Sequence, residues 1–175
     1  ADDIHANPGS ALLKDIVCEI GGQQIDKHYG HWLETWALLT EPNPSMITPI
    51  CSDATVSLHS AGTVFQNMAC MGAVKGDDGN RSTSLEKMFI PLQFWFNRNP
   101  GLALPLIALQ YHEVKVSITL GASADLTSET DCTIAVKLWA DYIYLDTDER
   151  RRFAQVSHEY LIEQLQYTSS ALGTS

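Results

Sequence analysis

Basic residues are scarce in this chain. Eleven Lys and Arg stand against 21 Asp and Glu, for a formal net charge of −10. Gripping nucleic acid requires clustered Lys and Arg to neutralise phosphates. The balance therefore argues against direct nucleic-acid binding, and against adhesion to an anionic membrane. Long apolar runs are also missing. Crossing a bilayer takes about 20 consecutive apolar residues, whereas Leu102 to Leu109 is a run of eight that contains Pro105. No transmembrane segment is expected. The opening ADDIHANPG has no initiator Met and no basic-then-apolar signal pattern, as a processed chain or a fragment would have.

Cysteine is sparse and scattered, at positions 18, 51, 70 and 132. No pair has the close spacing of a metal knuckle or redox motif, so buried or free thiols in a reducing compartment are expected. Catalytic signatures are absent as well. There is no G-x-S-x-G elbow, no Walker loop and no G-x-G-x-x-G, and no His-x-His of the kind that metal-binding jelly rolls use. His28 and His31 have an H-x-x-H spacing but no convincing third ligand, and read as a polar helix edge. His112-Glu113 and His158-Glu159 are adjacent pairs, and adjacent strand residues point to opposite faces. His112 is expected in the core beside Val114. Asp77-Asp78-Gly79-Asn80 lacks the spacing of a calcium loop. No metal, cofactor or catalytic residue is expected, and the chain reads as a non-enzyme. Asn80-Arg81-Ser82 is a sequon, which makes Asn80 a candidate glycosylation site.

What is present suits a packed β protein. Hydrophobic residues make up 45 % and charged ones 18 % of the 175 residues, enough apolar material for a core. Ile16, Cys18 and Ile20 alternate, Gly21-Gly22 supplies a turn, and the chain returns over 23–27, which predicts a hairpin. Tyr29, Trp32, Leu33 and Trp36 share one helical face, and Pro42 and Pro44 stop that helix. The stretch from Asp53 to Asn67 has room for one short strand, and 75–84 reads as an exposed loop. Further strands are expected at 88–96, 112–120 and 133–145, with Val114, Val116, Ile118, Ile134, Val136 and Leu138 mostly buried. Leu102 to Leu109 reads as a buried crossover, with Pro105 opening a single helical turn. Asp146 and Glu149 form a capping-box pattern ahead of Arg150, Arg151 and Arg152. Those arginines read as a solvated face paired with local acids or, functionally, as a contact between subunits or domains. Strands without alternating βα units point to an antiparallel sandwich or jelly roll. Trp32, Trp36, Trp95 and Trp139 keep open a second reading, a jelly-roll carbohydrate-binding module. That module would need its aromatics exposed in a groove.

Three stretches taken together resemble one family: EIGGQQIDKHYGHWLETWALLT (19–40), IPLQFWFNRNPGLALPLIALQYHEVKV (90–116) and LWADYIYLDTDERRRFAQVSHEYLIEQLQ (138–166). They are similar, in order, to the major capsid protein of nucleocytoplasmic large DNA viruses of the algal-virus and iridovirus type. The resemblance implies an all-β antiparallel jelly-roll sandwich with short helices, the partial first jelly roll of a tandem pair. Residues 1–145 would be the partial N-terminal jelly roll, 146–156 a helical linker and 157–175 the start of the second jelly roll. The chain would then be an internal fragment. In the full-length protein it would belong to a homotrimeric, pseudo-hexagonal capsomer of an icosahedral virion. Its partners would be copies of itself and minor capsid proteins, and assembly would take place in the infected-cell cytoplasm.

Overall fold

A hairpin organises the structure. In the computed structural model, which describes residues 5–42, 63–74, 87–127 and 133–170, β1 (Leu13–Ile20) and β2 (Gln23–Tyr29) pair antiparallel. Gly21 and Gly22 make the turn with φ of 61° and 81°, values that glycine adopts without steric cost. β3 (Val114–Leu120) pairs antiparallel with the other edge of β1, so the sheet order is β2-β1-β3.

β1 is the central strand, and its inner face makes the core. Ile16 and Cys18 point inward, one pleat apart, and are fully buried. They meet Leu33 of α2 (Gly30–Thr40), Ala69 of α3 (Val64–Ala69), Met71, and Phe94 and Trp95 at the start of α4 (Trp95–Arg98). A short helix α1 (Pro8–Ala11) leads into β1. Burying a large side chain such as Phe94 or Leu33 contributes about 1.5–3 kcal/mol. The α2 helix is the one that the sequence pattern predicts, but Tyr29 ends β2 instead of joining the helix face, and Gly30, Leu33 and Ala37 are its buried residues. Its Glu34 carboxylate also accepts from the backbone N–H of Gly72 at 2.9 Å and of Ala73 at 2.7 Å. That contact ties the exit of α3 to α2. Cys18 and Cys70 are free and buried, as expected.

Several expectations need correction. Of the 53–67 stretch read as having room for one short strand, residues 53–62 lie outside the described residues, and 64–67 are helical, opened by the reciprocal capping box of Thr63 and Gln66. Over 88–96, Ile90, Leu92, Phe94 and Phe96 do face the core, but the stretch is not a strand. Pro91 has no N–H for a ladder, and the chain turns into α4 at Trp95. Val114, Val116 and Ile118 of β3 are only half-buried, since β3 is an edge strand of the described sheet. Residues 133–145 pair with no strand among the described residues. Ile134, Val136 and Leu138 are 37, 47 and 57 % exposed there. The segment carries no regular secondary structure, and nothing among the described residues covers its apolar side chains. Leu102 to Leu109 is half-covered rather than buried. Pro105 does open one helical turn, its carbonyl accepting from the N–H of Ala108 at 2.9 Å and of Leu109 at 3.1 Å. His112 is exposed ahead of β3, beside the Gly21 turn, and is not a core histidine. Asn80, the 77–80 stretch, the 75–84 loop, Cys51 and Cys132 lie outside the described residues. Among the described residues, no helix is long and apolar enough to cross a membrane.

Candidate functional site

Two surfaces stand apart from the ordinary exterior. One is an irregular ribbon, residues 133–145, and the helix that follows it. Leu138, Trp139, Tyr142, Ile143 and Tyr144 are all exposed there. Large apolar side chains left exposed together in one segment mark a place that another surface covers. Helix α5 (Thr147–Gln155) begins where the ribbon ends. The Asp146 side chain caps it by accepting from the N–H of Glu149 at 2.9 Å.

The three arginines that the sequence singles out lie on this helix and do different things. Arg150 Nε donates to the carbonyl of Leu145 at 2.9 Å, fastening the helix to the end of the ribbon. Arg151 sits 3.9 Å from Asp148, a loose exposed pair worth little by itself. Arg152 borders an open groove of about 330 Å³ shared with Glu149, Phe153, Val156 and His158. His158 stacks on Phe153 with ring centroids 4.9 Å apart, and its Nε2 lies 2.8 Å from the Phe153 carbonyl. Local pairing thus engages only part of the cluster.

The second surface is the outer edge of β2. Across β1, Cys18 pairs with Asp26 and Glu19 with Gln24, so Ile25 is an extra residue without a partner. Such a bulge leaves its own carbonyl free of the ladder. It also turns Asp26 and His28, two residues apart on one face, into the interior. The Asp26 Oδ2 and His28 Nε2 atoms are 2.9 Å apart, and both side chains are buried. Neither Asp26 Oδ2 nor His28 Nδ1 has a hydrogen bond of good geometry among the described residues. The His28 ring stacks on Phe94 at 4.4 Å.

Burial pushes the Asp26 carboxyl up. The His28 side chain, the Leu165 N–H, the His28 charge and the Lys27 N–H together outweigh it and hold the group below its ordinary value of 3.8. Asp26 is therefore an anion at neutral pH. Its contribution is present above pH 3.8 and lost as pH falls through the lowered value.

Sequence reasoning placed His28 with His31 on a helix edge. The structure puts His28 inside the sheet on β2 and His31 outside on α2, so the two form no ligand pair. Among the described residues, no three His, Cys, Asp or Glu side chains converge to hold a metal. The Asp26–His28 pair itself went unread. Its signal was the D-x-H spacing, which is visible only once the strand is carried past Lys27 to His28.

Cys18 lies across the ladder from Asp26. Burial first, then the Asp26 and Glu19 charges, pushes its thiol up to about 11. The thiolate is the reactive form, so native Cys18 is expected to resist an aromatic disulfide reagent at pH 8 and to react once denaturant is added. Peptide mapping of labelled thiols checks this. The raised value also means that stability from this group is intact below pH 9.0 and is lost as pH rises toward about 11.

The tryptophans do not make a sugar-binding groove. Trp95 is buried, while Trp32 and Trp36 are half-buried and pack on each other at 5.7 Å. Arg98 lies over the Trp36 ring at 4.7 Å. Trp139 alone is strongly exposed, at 79 %.

The family model described as major capsid protein N-terminus matches residues 3–146. The chain is 51 % identical over 168 residues to the major capsid protein of Pyramimonas orientalis virus, covering 95 % of this chain and 39 % of that protein. It is 42 % identical over 176 residues to the major capsid protein of Paramecium bursaria Chlorella virus 1, covering 95 % and 35 %. Among solved structures, the crystal structure of PBCV-1 VP54 fitted into a cryo-EM reconstruction of the virophage Sputnik is similar. It has a TM-score of 0.62 at 37 % identity, over 96 % of this chain and 38 % of that one. The quasi-atomic model of the PBCV-1 virus capsid gives a TM-score of 0.61 at 39 % identity, over the same shares. The chain therefore spans well under half the length of the relatives it matches, and its antiparallel sheet has the all-β jelly-roll fold of those capsid structures.

Proposed function

This chain belongs to the family of viral major capsid proteins, and from that premise we propose that it is part of a structural subunit of an icosahedral capsid. The single observation that carries the reading is the 51 % identity to a major capsid protein across 95 % of the chain. In this reading its work is self-association, and it performs no catalysis. Three full-length chains build a pseudo-hexagonal capsomer, capsomers tile the virion shell together with minor capsid proteins, and assembly proceeds in the infected-cell cytoplasm. Residues 1–145 contribute to a first jelly roll, 146–156 form the linker and 157–175 open a second.

The exposed apolar ribbon and the incompletely paired arginines of α5 support this reading, because both suit a surface that becomes covered in an assembly. The test uses the full-length protein. Size-exclusion chromatography with light scattering is expected to give a discrete trimer, and a stable monomer or dimer would count against the proposal. Replacing Arg150, Arg151 and Arg152 together with Ala is expected to lower the trimer yield while circular dichroism stays β-rich. An unchanged yield would return the cluster to a solvated helix face.

A further inference from the structure

The free carbonyl at the Ile25 bulge and the buried carboxylate of Asp26 are both occupied by the same distant stretch of chain. Gln164 Nε2 donates to the Ile25 carbonyl at 2.6 Å. The backbone N–H of Leu165 donates to Asp26 Oδ1 at 3.0 Å, the oxygen that also accepts from the Lys27 N–H at 2.9 Å. On either side, Glu163 pairs with Arg98 at 2.6 Å, and Tyr167 packs on Tyr29 with centroids 4.4 Å apart. Ile162 reaches the core cluster.

These contacts are not a strand ladder. Residues 157–170 carry no β pairing, and the two bonds to β2 run through one side-chain amide and one side-chain carboxylate. An edge strand offers unpaired backbone groups to any other chain. Here a bulge interrupts the edge, and the interruption is filled from within the molecule.

We propose that the β2 bulge with Asp26 is a docking seat for residues 162–167, which fastens the chain beyond the arginine helix to the first sheet and closes that sheet edge to other strands. Asp26 is the positioning residue, because its inward carboxylate presents one oxygen to Leu165 while the other lies 2.9 Å from His28 Nε2. The seat rests on geometry internal to this chain. It stands or falls separately from capsid assembly.

Amide hydrogen exchange on the full-length protein tests the seat. In Asp26→Ala, peptides covering 162–167 are expected to exchange about tenfold faster or more, as loss of a charge-assisted hydrogen bond implies, while β1 and β3 keep their protection. Asp26→Asn retains an acceptor oxygen and is expected to preserve most of the protection. Because Asp26→Ala also strips His28 of its partner and risks unfolding, Leu165→Pro serves as the second variant. It deletes the N–H donor without altering the sheet, and the same local loss is expected. Protection of 162–167 that survives Leu165→Pro would overturn the seat. Equal loss in Asp26→Asn and Asp26→Ala would overturn the role given to the acceptor oxygen.

Discussion

Replacing Gly30 with alanine is expected to cost the protein its fold. Gly30 opens α2 directly after β2, and there the backbone of this junction presses against the end of α1 and the start of β1. An added Cβ would overlap the Ser10 carbonyl oxygen outright and lie 2.5 Å from the Leu13 carbonyl oxygen. Neither atom belongs to a side chain that can swing aside. Relief requires moving α1 or β1, and β1 is the central strand that carries Ile16 and Cys18 into the core. Overpacking a well-filled interior costs about 1–3 kcal/mol and more where backbone must shift. We expect the upper end of that range or beyond, a large share of a domain's roughly 5–15 kcal/mol. Soluble yield and urea unfolding of the full-length variant check this. Gly22→Ala is the control. Its added Cβ meets nothing within 4 Å, so only the left-handed backbone opposes it, at about 1–2 kcal/mol. Equal damage from both substitutions would mean that contact at Gly30 is not the cause.

Expressed by itself, the 175-residue chain is expected to self-associate into large species. Ile134, Val136, Leu138, Trp139, Tyr142 and Tyr144 stand exposed along one extended stretch whose backbone pairs with no described strand. Unpaired strand groups and an uncovered apolar face both recruit other chains. The net charge of −10 opposes this, but screening limits such repulsion to about 8 Å at physiological salt. Light scattering coupled to size exclusion measures the outcome. Introducing Val136→Lys with Leu138→Lys is expected to shift the chain toward smaller species, and a clean monomer of the unaltered chain with a cooperative melt would refute the argument.

Local patterns were legible where the signal and its partner lie close in sequence. The Gly21-Gly22 hairpin, the α2 face built on Leu33, and the Asp146 cap of α5 each follow from residues within a dozen positions. The strand 114–120 was readable from alternation alone. Burial was not, because alternation shows which residues share a face but not whether anything covers it. Residues 134, 136 and 138 have the same pattern as 114, 116 and 118, yet they differ in exposure. Phe94 looked like a strand residue. It became the N-cap of a helical turn and the aromatic centre of the core, since Pro91 upstream prevents a regular ladder. The bulge at Ile25 left no composition signal. Without it, Ile25 would face inward and Asp26 outward, and the buried Asp26–His28 pair would not exist. One partner of Asp26, the Leu165 N–H, lies 139 positions away, and no local pattern could have announced it.

The guanidinium of Arg98 does two things at once: it covers the Trp36 ring at 4.7 Å and grips Glu163 at 2.6 Å. A cation held over an indole is stabilised by the ring's electron density, and its field acts on the excited state of that same ring. The position of the cation depends in turn on the acid at the other end. The colour of Trp36 emission is therefore linked to whether residues 162–167 are in place. In a variant that keeps Trp36 as its sole tryptophan, that emission would serve as an optical gauge of the contact, readable in solution without a label.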